Sequence, residues 1–206
     1  MKRLISGLGE NSAQGYDTIY LSRKERGVDA FDLKRWKKLL KYYKGGKLLD
    51  AGCLDSLVPI LAKESYPKAE VWGIDIAEEA VKDMARQYPD IIFTVEDVYK
   101  TKFPNNYFDY IVAGELIEHL DDPKKFFAEA FRILKRGGVL ALSTPLAEEN
   151  EVGAVDHERH LWSFLEEDME TLMGKHGAVW TKTLGSQYIP IYIYHWPNLL
   201  AFCRKT

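Results

Sequence analysis

Two short apolar runs that each end on an acid constrain this chain most: Lys47-Leu48-Leu49-Asp50-Ala51-Gly52-Cys53 and Val71-Trp72-Gly73-Ile74-Asp75. A brief apolar run bounded by turn residues suits a buried parallel strand, because helices cover both faces of such a sheet. Acids at the carboxyl ends of these strands fall in the crevice where open α/β sheets bind ligands. Asp75 follows Gly52 by 23 residues, close to the ~20-residue offset at which a strand-end carboxylate meets a nucleotide ribose. The spacing points to a site for a molecule carrying an adenosine-like ribose.

The rest of the chain alternates in the same way. Leu33, Trp36, Leu40 and Tyr43 share a helical face after Asp32, and Gly45-Gly46 ends that helix. Strands are expected at Lys47–Ala51, Glu70–Asp75, Ile91–Val95, Phe108–Ala113 and Val139–Thr144, with two more at Val179–Leu184 and Leu199–Arg204. Helices are expected at Ser56–Ser65 and Glu78–Gln87, and from Asp122-Pro123 to Leu134, where proline suits the first turn. Ser163 and Glu166 have capping-box spacing ahead of a helix that reaches about His176. This alternation predicts an α/β fold, a mainly parallel sheet with helices on both faces. No repeat or low-complexity linker divides it, so residues 1–206 read as one domain. Residues 1–31 form an N-terminal arm that could serve as a lid, and residues 32–206 form the core.

Charge narrows the function. Lys and Arg number 28 against 31 Asp and Glu, a net charge of -3, and nucleic-acid binding needs clustered positive charge. A nucleic-acid partner is therefore disfavoured. The two cysteines, Cys53 and Cys203, have no metal or CxxC spacing, which fits a reducing compartment. Met1–Ser6 lacks the apolar core of a signal peptide, and no run reaches the ~18 apolar residues of a membrane span. A cytoplasmic protein without a membrane partner is expected.

Further motifs sharpen the reading. They are Val95-Glu96-Asp97-Val98, then Phe108-Asp109-Tyr110-Ile111-Val112 followed by Glu115-Leu116-Ile117-Glu118-His119-Leu120, then Ile133-Leu134-Lys135-Arg136-Gly137-Gly138. Together with the two acid-ended runs, in this order and spacing, the chain resembles the class I S-adenosylmethionine-dependent methyltransferases of the small-molecule type, near their ubiquinone-biosynthesis-like branch. The resemblance covers residue 47 to the C-terminus. It implies a Rossmann-like three-layer sandwich with a seven-stranded, mostly parallel sheet whose last strand is antiparallel. It also implies S-adenosyl-L-methionine as cofactor and a small-molecule acceptor. The family usually has Gly-x-Gly-x-Gly after strand one, whereas Gly52, Leu54 and Ser56 stand here. Glycine lets backbone approach a ligand and adopt positive φ, so the two replacements raise the alternative of a non-catalytic cofactor-binding module. A nicotinamide-dependent oxidoreductase needs Gly-x-Gly-x-x-Gly, and only Gly52 is present.

The resemblance assigns cofactor contacts to Asp50, Gly52, Cys53, Ser56, Asp75, Ile76, Asp97, Val98 and Glu115. In this reading Asp75 takes the ribose hydroxyls and Asp97 takes the adenine amino group or merely caps the Val98-Tyr99 turn. Asp50 orients the loop near the methionine amino group or serves as a cap. Ser56 caps the next helix and faces the ligand's carboxylate. His119, His157 and His160 are candidates for acceptor contact or proton removal, since imidazole titrates near neutral pH; a structural role for His119 is the competing reading. No metal site is expected, although His157, Glu158 and His160 are close in sequence. The aromatic run from Gln187 to Pro197 reads as a hairpin insertion, an apolar acceptor pocket or the face of a homodimer. Tyr16 and Tyr20 could close over the cofactor.

Overall fold

The computed structural model of the protein describes residues 1–3, 11–23, 30–147, 160–184, 188–189, 193–194 and 197–206. Three elements precede the core of the sheet: β1 (Lys2–Arg3), α1 (Ala13–Arg23) and α2 (Ala30–Leu39). Then β2 (Lys47–Ala51), α3 (Val58–Ser65), β3 (Glu70–Asp75), α4 (Glu78–Gln87) and β4 (Ile92–Val95) alternate, followed by β5 (Phe108–Gly114), α5 (Pro123–Ile133) and β6 (Leu134–Pro145). The remaining elements are β7 (Trp162–Ser163), α6 (Glu166–Met173), β8 (Gly177–Leu184), β9 (Tyr188–Ile189), β10 (Ile193–Tyr194) and β11 (Asn198–Lys205).

Seven strands form one sheet in the order β4-β3-β2-β5-β6-β11-β8. The first five are mutually parallel, and β11 runs antiparallel to both neighbours. The expected α/β sandwich is thus the observed fold. The chain moves outward from β2 to β4, then returns to place β5 against the other side of β2. That reversal opens a crevice at the carboxyl ends of β2 and β5.

Side-chain alternation divides the core into two layers. Leu49, Ile111, Leu140 and Leu142 face α5 and α6, packing with Phe126, Phe127, Phe131 and Met169. Leu48, Tyr110, Val112, Val139 and Ala141 face the opposite layer with Trp36, Leu39, Val58, Ala62 and Met84. Full burial of each large aliphatic side chain contributes roughly 1.5–3 kcal/mol, so this double-sided sheet fixes the strand ends rigidly.

Three local expectations are corrected. α2 begins at Ala30 rather than at Asp32, and Asp32 pairs from the first turn with Arg35 at 2.7 Å. β6 starts at Leu134, directly after α5, and runs through Gly137-Gly138, ahead of the strand start expected at Val139. Gly137 has φ +77 there, and the register against β5 shifts between Phe108 and Tyr110. The capping acid of α6 is Asp168, whose Oδ2 accepts from the Leu165 amide at 2.8 Å, while Ser163 pairs with Lys2 in a two-stranded ribbon. Among the described residues, no helix is long and apolar enough to cross a membrane.

Candidate active site

The carboxyl ends of β2 and β3 are drawn together by backbone bonds. The Gly52 and Cys53 amides both donate to the Ile74 carbonyl, at 2.9 and 3.0 Å. Gly52 has φ +72, and a Cβ there would meet Leu116 Cδ1 at 2.7 Å, so glycine is required on both counts. Asp75 is 7% exposed. Its Oδ2 accepts from the Leu54 amide and its Oδ1 from the Ala77 amide, each at 2.9 Å. Burial raises its carboxyl pKa, and the amides of Ala77, Leu54 and Ile76 oppose that rise. Each oxygen keeps a second lone pair, so the carboxylate that braces the loop can still accept from a ribose.

Asp50 is more deeply buried, at 2% exposure, and its Oδ2 has no hydrogen-bond partner. Desolvation pushes its carboxyl up to about 7, the Ser56 hydroxyl pulls it down, and the Asp75 charge adds to the rise. An orphaned buried carboxylate oxygen beside an anionic neighbour is suited to a cationic donor such as a methionine ammonium. The residues present therefore fit S-adenosyl-L-methionine. Ser56 Oγ accepts from the Val58 amide at 3.1 Å, but the N-cap of α3 is Leu57 and no side chain caps it, so the cap expected of Ser56 is not formed. Cys53 packs inward at 1% exposure, with its sulfur near Gly73, and burial lifts its thiol pKa well up.

The missing glycine of the loop has a local explanation. Leu54 adopts φ +34, a region that ordinarily favours glycine. Its side chain packs with Tyr16, Tyr20, Ala77 and Ala80. Helix α1 thereby lies over the loop. Tyr20 donates to Asp83 Oδ2 at 3.1 Å, and the Glu79 amide donates to Asp17 Oδ1 at 2.9 Å. Tyr16 contacts His119 edge-on, with ring centroids 6.2 Å apart.

At the end of β5 the chain makes a second polar cluster. Glu115 adopts φ +52. Its Oε1 accepts from Ser143 Oγ at 2.8 Å, and its Oε2 accepts from Asn198 at 3.4 Å and pairs with Arg35 at 3.2 Å. Glu118, on the single 3-10 turn Ile117–His119, is 1% exposed. Burial raises its carboxyl well above the ordinary range, and the Glu115 charge adds to this. His119 and His160 meet across 4.9 Å between ring centroids. Sequence reasoning passed over Arg35, Ser143, Thr144 and Asn198; nothing local distinguishes them, because they reach the cluster from three separate elements, α2, β6 and β11.

The other expected residues separate. Ile76 is half-buried at the β3 end. Asp97 is exposed, and its Oδ1 accepts from the Tyr99 amide at 2.8 Å, so it caps that turn; Val98 is buried beneath it. His157 lies outside the described residues, as does most of the segment from 187 to 197. Within that segment β9 and β10 pair as an antiparallel hairpin.

Residues 49–142 match the family model described as a methyltransferase domain. This core is similar to those of S-adenosylmethionine-dependent methyltransferases. The ubiquinone/menaquinone biosynthesis C-methyltransferase of Desulfotalea psychrophila is 34% identical over 113 residues, covering 51% of this chain and 45% of that protein. The malonyl-acyl-carrier-protein O-methyltransferase of Hahella chejuensis is 28% identical over 163 residues, covering 75% of this chain and 56% of that protein. The chain spans about half the length of the curated relatives it matches. A SAM-dependent methyltransferase structure from Archaeoglobus fulgidus superposes with a TM-score of 0.73 at 15% identity, covering 91% of this chain and 99% of the other. That likeness bears on the fold. The matched methyltransferase domain implies S-adenosyl-L-methionine as the cofactor.

Proposed function

We propose that this chain binds S-adenosyl-L-methionine at the carboxyl edge of β2 and β3 and transfers its methyl group to a small-molecule acceptor. The observation that carries this reading is the pairing of Asp50, with its orphaned buried oxygen, and Asp75 at the carboxyl ends of the adjacent strands β2 and β3, beside the topological switch between β2 and β5. Asp75 would accept from the ribose hydroxyls, and Asp50 would face the cationic methionine end. Asp97 would contact the adenine from its exposed turn.

When bound, the cofactor supplies an electrophilic methyl on a positively charged sulfur. The protein's part is alignment and exclusion of water. The sheet ends fix Asp50 and Asp75, Gly52 keeps the loop backbone close, and α1 lies over Leu54 as a lid. His119 and His160 are the basic groups available near an oxygen or nitrogen acceptor, and would accept its proton. The named relatives act on carbon and on oxygen acceptors respectively, so we extend only the small-molecule class to this chain. The buried, unbridged Cys53 and Cys203 support a cytoplasmic location.

Calorimetric titration with S-adenosylmethionine tests the reading. We expect one site per chain, and release of S-adenosylhomocysteine with at least one acceptor from a panel of phenols, quinols, carboxylates and amines. Absence of binding at millimolar cofactor to folded protein would overturn it. Binding without turnover across the panel would favour a non-catalytic module.

A further inference from the structure

Glu118, His119 and His160 each offer one ligand-type atom, and these three atoms lie within 4.8 Å of one another. His119 and His160 are 41 positions apart in sequence. The fold closes that interval with two bonds: the Leu161 amide donates to the Glu118 carbonyl at 2.7 Å, and Trp162 Nε1 donates to the Leu120 carbonyl at 2.6 Å. The histidine rings meet at 69° rather than stacking.

Glu118 supplies the decisive observation. Its side chain is fully buried, and Thr144 Oγ1 donates to Oε2 at 3.1 Å. Oε1 is also buried and has no hydrogen-bond partner; His119 Nε2 stands 4.0 Å from it. A buried carboxylate oxygen left without a donor is costly to the fold. Oε2 is held by Thr144, and Oε1 stands open on the His119 side.

We propose that Glu118 Oε1 and one ring nitrogen each of His119 and His160 bind a divalent first-row transition-metal ion. Imidazole nitrogens with a single carboxylate favour zinc, iron, cobalt or nickel, whereas magnesium and calcium favour sets made of oxygen alone. Ligands 2.0–2.2 Å from a zinc ion stand roughly 3.4 Å from one another, so the three atoms close by about an ångström as the ion enters. Thr144 orients the carboxylate from behind, as outer partners do in metal sites. Three protein ligands leave coordination positions for water or for an oxygen of a small molecule. With the ion present, both imidazoles are ligands and neither is the proton acceptor named for methyl transfer, so the two roles are alternatives for this pair. The proposal concerns the ion alone and does not depend on methyl transfer.

The test uses the full chain, stripped with chelator and titrated with cobalt(II), followed by visible absorption and then by zinc competition. Wild type should take up one cobalt per chain with the ligand-field bands of nitrogen and oxygen coordination, and zinc should displace it. Glu118→Gln and His160→Ala should each weaken binding at least ~10-fold, and Thr144→Val by ~10-fold. His176→Ala removes a histidine stacked on Phe131 outside the cluster and should leave affinity unchanged. Circular dichroism checks that each variant folds. If His160→Ala does not, the near-isosteric Glu118→Gln and Thr144→Val decide. No stoichiometric cobalt on wild type, or variants that bind as tightly as wild type, would overturn the proposal whatever the outcome of cofactor titration.

Discussion

Asp75 and Glu118 are both buried carboxylates at the same edge of one sheet, yet they are treated differently. Asp75 accepts a backbone amide on each oxygen, so its anion is built into the loop. Glu118 has a donor on one oxygen only, and its other oxygen is buried without a partner, 4.0 Å from His119 Nε2. The contrast separates a carboxylate that the fold itself satisfies from one that the fold leaves open. Asp50 belongs with Glu118 in this respect, because its Oδ2 is buried without a partner.

The largest effect expected from this contrast is in pH dependence. Asp50 titrates near 3.8 when unfolded and at about 7 in the native cofactor-free state. Between those values the native state binds the extra proton, so stability falls as pH rises and levels off above about 7. The loss amounts to roughly 4 kcal/mol. Urea unfolding from pH 4 to 8 should show it, and Asp50→Asn should make the fall shallower. Because a cationic ligand favours the ionised carboxylate, affinity for S-adenosylmethionine should rise over the upper part of that interval. Equal slopes for wild type and variant would break the assignment of Asp50 as the open acid.

Removing the satisfied acid should come next. Asp75→Ala leaves the Leu54 and Ala77 amides without their acceptor, at roughly 1–3 kcal/mol for each buried group, and should weaken cofactor binding at least ~10-fold. Calorimetry paired with denaturation reads both. An unchanged affinity would show that the brace is the whole role of Asp75. Gly52→Ala should be milder, about 1–2 kcal/mol of stability, since positive φ and the Leu116 contact both oppose a Cβ. Smallest is Tyr20→Phe, which removes the bond to Asp83 and should cost about 1 kcal/mol. If α1 is a lid, the same change should also raise the cofactor's dissociation rate in stopped-flow measurements.

Much of the β2–β3 end was legible because its signals are local. Asp50, Gly52 and Asp75 end apolar runs, and an apolar run of strand length constrains both its burial and its direction. Leu54 shows where such reading stops. As a letter it breaks the glycine pattern; in the fold it takes positive φ and packs against Tyr16 and Tyr20. The α6 cap was misassigned to Ser163 and Glu166 because Ser163 is engaged in the β1–β7 ribbon, a pairing across more than 150 residues of chain.

The sequence by itself determined the alternating elements, the sheet class and the strand-end acids, since each follows from periodicity within a dozen residues. Only the tertiary structure decided which acids are satisfied and which are open. It alone brought His160 to Glu118 and His119, and Arg35 and Asn198 to Glu115. The physical reason is that hydrogen-bond satisfaction depends on which donors packing delivers, and packing joins residues whose separation along the chain carries no periodic signal.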